Sequence, residues 1–149
     1  MRVFLVQHAE ANSDEIDPGR HLTEKGIEDA KKLAGFLKSF KILPSAIWHS
    51  GKTRSEETAQ LIASVYPEKV DLIEKRGMAP NDHPKSISEH LEHELLIVGH
   101  LPFLSKLASG LLTGHEKANI LSFQHGCCVA LGKEGRHWSV LWMVDPGFL

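Results

Sequence analysis

Three side chains in this sequence have types and settings suited to chemistry on an anion. They are His8, which follows the apolar run 3–6 and Gln7; Arg54, just after a short apolar segment; and His100, which follows the apolar run 95–98 and Gly99. An imidazole at the end of a strand becomes a nucleophile when one ring nitrogen donates to a backbone carbonyl, because that fixes the tautomer and leaves Nε2 free to attack. Arg54 falls in the first turn of an expected helix. Its guanidinium and the adjacent backbone N–H groups both favour an anion, above all a phosphoryl group held by paired donors. His100 could stabilise charge on the equatorial oxygens of a transferring phosphoryl group if that anion kept it cationic. No metal or other cofactor is required. Singly, each residue has a plainer role as a structural histidine or a solvated arginine; their joint placement points to phosphate.

The elements that must position these residues can be read from periodicity and breakers. Residues 3–6 suit a buried parallel strand, and a loop rich in Asn, Ser, Asp, Pro and Gly follows at 12–19. Thr23 can cap a helix, with Leu22 and Ile27 as a hydrophobic staple, and Ile27, Ala30, Leu33, Ala34, Leu37 and Phe40 form one apolar face. Residues 46–48 read as a second strand. Thr53-Arg54-Ser55-Glu56 has the pattern of a capping box opening a helix that carries Ala59, Ile62 and Val65. Residues 70–73 suit a third strand, 74–85 a loop, and Ser86-Ile87-Ser88-Glu89 another capping box for a brief helix. A fourth strand at 95–98 leads to a helix from Phe103 through Leu112 that Gly114 can end. Strands at 127–131 and 138–144 join in a hairpin through 132–136, with Trp138 and Trp142, four apart, expected to share a face. This alternation predicts an α/β three-layer sandwich in a single domain, 1–149, with a mostly parallel mixed sheet of about six strands covered by helices on both faces. In such sheets the site lies beyond the carboxyl ends of the strands. That rule selects His8, residues 50–54 and Gly99-His100, with Ser50 and Gly99 expected among the substrate-binding residues.

Composition narrows the function classes. The chain has 149 residues, 42% apolar and 24% charged, the profile of one globular domain. Seventeen Lys and Arg against nineteen Asp and Glu give a formal charge of -2, which lacks the positive field that binds nucleic acid through counterion release. No apolar run nears the roughly 18–20 residues that span a bilayer, and residues 1–8 do not read as a signal peptide, so no membrane association and a cytoplasmic location are expected. A disulfide between the adjacent Cys127 and Cys128 would be strained; both are expected as small core residues in a reducing compartment.

Four segments together carry a resemblance. Leu5-Val6-Gln7-His8-Ala9-Glu10, Arg20-His21-Leu22-Thr23-Glu24-Lys25-Gly26, Ser50-Gly51-Lys52-Thr53-Arg54-Ser55-Glu56-Glu57-Thr58-Ala59 and Val98-Gly99-His100-Leu101-Pro102 resemble the histidine phosphatase superfamily, which has the phosphoglycerate mutase-like fold. Within it they are most similar to the small SixA-type phosphohistidine phosphatase branch. The resemblance implies a covalent phosphohistidine intermediate on His8, His100 as the second histidine of the pocket, and Arg54 as a phosphate ligand. Arg20 is similar to an arginine that helps line the pocket. Gln7 departs from the pattern, since the family normally has an arginine there as a bidentate phosphate ligand. Glutamine supplies one neutral NH₂ in place of a charged fork, so weaker phosphate binding is expected, unless Lys52, Arg20 or backbone donors compensate. Loss of the charged donor could cost on the order of 10²–10³ in rate, or leave a non-catalytic phosphate-binding module. The partner implied is phosphohistidine on a signalling protein, such as a histidine phosphotransfer domain, because the chain has no room for the insertions that enclose small molecules in larger relatives. A small phosphoester is the alternative.

Other patterns carry less. Gly51-Lys52-Thr53 lacks the first glycine of a P-loop, whose place is taken by Ala46, and the strand leaves no loop to wrap phosphates. Ten histidines invite a metal site, but His90 and His93 have no Cys or carboxylate spacing to complete one, and no metal is expected. Asp82 and His83 are the weak candidates for a general acid. His125 would approach the pocket if the fifth strand is antiparallel, with a hairpin-flanking surface position as the simpler expectation.

Overall fold

The computed structural model describes residues 1–149 and carries strand β1 (Arg2–Gln7), helix α1 (Glu24–Ser39), β2 (Ala46–His49), α2 (Thr53–Ala63), β3 (Leu72–Glu74), the short α3 (Lys85–Ser88), β4 (Leu95–Gly99), α4 (Phe103–Thr113), β5 (Cys128–Glu134) and β6 (His137–Val144). The six strands form one sheet in the order β3-β2-β4-β1-β5-β6. Strands β1 to β4 are mutually parallel where they pair, and β5 and β6 add antiparallel. The expected mixed α/β sandwich is the observed fold.

Val3, Phe4, Leu5 and Val6 are all fully buried, since helices cover both faces of this central strand. Alternation sends Val3 and Leu5 to one core with Phe103, Leu104 and Leu107 of α4, and Phe4 and Val6 to the other with Leu33 and Leu37 of α1 and Ile62 of α2. Each such side chain contributes about 1.5–3 kcal/mol by leaving water. The chain leaves the end of β1 toward β2 and leaves the end of β4 toward β5, so the crevice between β1 and β4 is where the connections diverge. A ligand site in an open α/β sheet forms at such a point.

Several boundaries and local motifs differ from the expectation. Thr23 does cap α1, its Oγ1 accepting from the Gly26 N–H at 3.0 Å, but Ile27 and Phe40 are exposed and the buried stripe is Gly26, Asp29, Ala30, Leu33, Ala34 and Leu37. A Cβ on Gly26 would run into the carbonyl oxygen of Glu10, so this close crossing of the first loop over α1 requires glycine. Neither expected capping box forms. Helix α2 has Lys52 at its N-cap with no side-chain cap: the Lys52 carbonyl already accepts from the Glu56 N–H at 3.0 Å, so Thr53 lies inside the first turn instead of capping it; α3 likewise starts behind Pro84 without one. Strand β3 is shifted to Leu72–Glu74, and the final hairpin is longer than expected, with Glu134 opposite His137 and a turn at Gly135-Arg136. Trp138 and Trp142 do not share a face. The pairing slips between Ala130 and Leu131, inserting Leu141 as a bulge. That places Trp138 in the α4-side core and Trp142 against the α1-side core beside Phe4 and Phe36.

Candidate active site

Register brings the two central histidines together. Gln7 pairs with Gly99, and the His8 N–H donates to the Gly99 carbonyl at 3.0 Å. His8 and His100 therefore leave neighbouring strands at the same level, with ring centroids 5.1 Å apart and both side chains buried. His8 Nδ1 lies 2.7 Å from the Ala9 carbonyl oxygen. A carbonyl only accepts, so Nδ1 carries the hydrogen and Nε2 keeps its lone pair.

Helix α2 is tied to this crevice by two hydroxyls that the sequence reading passed over. Ser55 accepts from the Ser50 N–H at 3.2 Å while donating to Val98, and Thr58 accepts from the Ala9 N–H at 3.0 Å while donating to the Arg54 carbonyl at 2.8 Å. They fix the first turn of α2, and with it Arg54, against the ends of β1 and β4. Their signal was their position: Ser55, Thr58, Ala59 and Ile62 follow helical spacing, so two polar residues sit on a stripe that must be internal. Ser50 Oγ lies 2.6 Å from His100 Nε2. Arg20 is held by its own Nε, which donates to the Asn12 carbonyl at 3.0 Å, in a left-handed backbone conformation with φ of 49°. Gly99 serves through its backbone, since a Cβ there would press on Leu104.

Three buried polar atoms find no partner: Gln7 Oε1, Arg54 Nε and His100 Nδ1. Buried polar groups are nearly always paired, so three orphans in residues grouped at the ends of β1, β2 and β4 mark a place for a polar ligand. Charge agrees with an anion. Burial above all, then the positive charge of Arg54, lowers His8 to about 4 against the pull of its bond to Ala9. Burial, then His8, Arg54, Lys52 and Arg20, lowers His100 to about 3. Both rings are neutral near pH 7 in the free pocket, and a phosphoryl dianion would favour protonation of His100.

These depressed imidazoles make stability depend on pH. Between about 4 and 6.5 the unfolded chain holds a proton on His8 that the folded chain does not, and for His100 the window extends to about 3. Stability therefore rises with pH across this range and is lost on acidification, by up to about 1.4 kcal/mol per pH unit for each group. Urea midpoints measured from pH 7 to pH 4.5 are expected to fall, and to fall less in His100→Asn. An equal slope in that variant would contradict the assignment.

The remaining expectations can be placed. Strand β5 is antiparallel to β1, and His125, expected as a flanking surface residue, lies with its ring centroid 5.2 Å from that of His8 while staying exposed on its outer side. Asp82 accepts from the Ala79 N–H within its own loop, and His83 pairs with Glu116, in the segment after α4, at 3.1 Å. His90 Nδ1 contacts the Ser86 carbonyl and His93 accepts from the Arg2 N–H. Cys127 and Cys128 are buried free thiols. No group of three or more His, Cys, Asp or Glu side chains converges in the way a metal ion needs, and no helix is long and apolar enough to cross a membrane.

Comparison with known proteins follows the same lines. A family model, the histidine phosphatase superfamily (branch 1), matches residues 3–79, a span that includes His8, Arg20 and Arg54. No curated protein matches the sequence significantly. Among solved structures, the protein histidine phosphatase SixA complexed with tungstate superimposes with a TM-score of 0.87 at 20% identity over 99% of each chain. The phosphoserine phosphatase of Entamoeba histolytica in complex with 3-phosphoglyceric acid gives 0.74 at 16% identity, over 97% of this chain and 96% of that one. The alpha-ribazole phosphatase of Shigella flexneri gives 0.72 at 18% identity, over 98% and 97%. These likenesses share one fold among phosphatases of different substrates.

Proposed function

The chain belongs to the histidine phosphatase superfamily, and on that premise we propose that it removes a phosphoryl group by in-line transfer to His8, followed by hydrolysis of the phosphohistidine by water. The observation that carries this reading is the His8 imidazole itself: buried, neutral, its Nδ1–H committed to the Ala9 carbonyl, beside the unpaired Nε of Arg54. Nε2 supplies the electron pair to phosphorus. Arg54 offers N–H groups to the phosphoryl oxygens, and His100, protonated once the dianion is bound, stabilises the charge that spreads over them in the transition state. Ser50 orients His100 through its Nε2, and Lys52 and Arg20 add positive charge at the rim.

The substrate we infer is phosphohistidine carried on a signalling protein. The connections that bear Ser50 and His100 are three-residue turns, between β2 and α2 and between β4 and α4, and supply no lid to enclose a small molecule. A phosphohistidine also leaves readily, since an imidazole accepts a proton near neutral pH. The test is phosphate release from a phosphorylated phosphotransfer domain compared with a free sugar phosphate. The expected result is a higher kcat/KM for the domain; the reverse order would transfer the assignment to small phosphoesters.

A further inference from the structure

We propose that His125 is the proton donor of this pocket, and that it extends the activity from phosphohistidine to phosphomonoesters of alcohols, whose leaving oxygen must be protonated to depart. The inference rests on the phosphatase reading of the His8 pocket and concerns a residue that reading leaves unused. The charged groups that act on His8 and His100 are Arg54, Arg20, Lys52 and the histidines themselves. No carboxylate is among them. Arginine and lysine hold their protons near neutral pH, His8 is the nucleophile, and His100, with its Nε2 at Ser50, is the group assigned to the charge on the phosphoryl oxygens. An imidazole is a side chain that both gives and takes a proton in this range, and His125 is the one that lies at the exposed rim beside the nucleophile's ring.

Its place is built rather than incidental. The next residue, Gly126, has φ of 78° and donates its N–H to the carbonyls of both Gln7 and His8, at 3.0 and 3.2 Å. The loop before β5 is thus pinned to the backbone that carries the nucleophile. His125 Nδ1 faces the His8 carbonyl at 3.4 Å; as a carbonyl only accepts, Nδ1 keeps its hydrogen and Nε2 is the atom free to exchange a proton. The ring is exposed while lying 5.2 Å from the His8 ring. In an in-line transfer the leaving atom points away from the nucleophile, toward solvent, so a donor belongs at the rim rather than in the floor.

The steps balance. The His8 Nε2 lone pair forms the N–P bond as the P–O bond of the ester breaks, and the oxygen retains that electron pair and takes the proton from His125 Nε2, leaving as the alcohol. Neutral His125 then accepts a proton from the attacking water as its oxygen bonds to phosphorus. The N–P bond breaks with its pair returning to His8, phosphate leaves, and His125 is protonated again.

His125→Asn retains an N–H donor for the His8 carbonyl and removes the exchangeable proton. Single-turnover and steady-state rates are to be compared for an alkyl phosphate, phosphoserine, and for p-nitrophenyl phosphate, whose phenolate departs without help, with thermal melting to show that the variant is folded. The expected result is a loss of about 10²-fold or more with phosphoserine, the scale of general acid catalysis, against less than about tenfold with the nitrophenyl ester. Equal losses on both esters, no loss on either, or a wild-type protein that cleaves only the nitrophenyl ester would overturn the role of His125 while leaving the phosphatase reading intact. A wild-type protein that cleaves neither ester nor a phosphohistidine protein would remove that reading, and this inference with it.

Discussion

His8→Ala is expected to abolish both turnover and the covalent intermediate. Mixed in a single turnover with a ³²P-phosphohistidine protein and quenched with alkali, the native protein should carry label as an acid-labile, alkali-stable adduct, and the variant none. The effect on kcat should be on the order of 10⁶, the scale seen when a nucleophile is removed from a site whose other groups act with it. The reason is geometric: the Ala9 carbonyl holds one ring nitrogen at 2.7 Å, and no other side chain replaces the lone pair that remains. Phosphate release by His8→Ala at a native rate would exclude the covalent route. Binding without turnover in the native protein, unchanged in the variant, would identify a phosphate-binding module.

The second large effect is expected at Gln7, and in the opposite direction. The residue is 5% exposed and its Oε1 has no donor, so an electron-rich oxygen is buried at the end of the strand that leads into a site for an anion. An arginine there would replace one neutral amide by two parallel charged N–H groups matched to a phosphoryl face. Gln7→Arg is expected to raise kcat/KM by about 10²-fold and to tighten phosphate or tungstate binding, each tenfold being about 1.4 kcal/mol. Unchanged or reduced activity in a variant that melts like the native protein would show that Lys52, Arg20 and the backbone already supply what the arginine does elsewhere in the family.

The strands were legible because burial on both faces writes a continuous apolar run, as in residues 3–6 and 95–98, and the strand ends then indicated His8 and His100 without any side-chain geometry. Arg54 was legible from its place after a strand. Pairing order and registry were not, because they depend on contacts between residues far apart in sequence. His125 illustrates this: its distance from His8 follows from β5 running antiparallel to β1 and from Gly126 bonding to two carbonyls at once, neither of which any local pattern encodes. The capping box expected at α2 failed on a boundary. Thr53 had the right type and spacing to cap α2 with Glu56, but the connection from β2 starts the helix one residue earlier at Lys52, whose carbonyl takes the Glu56 N–H, so Thr53 falls inside the first turn.

The bulge at Leu141 has an optical consequence. By sending Trp138 to one side of the sheet and Trp142 to the other, it gives each helical layer its own indole fluorophore, with Trp48 joining Trp138 on the α4 side. Variants that keep one indole at a time would let the emission of the two layers be followed separately, so that loosening of the layer carrying Arg54 could be told apart from loosening of the layer behind it.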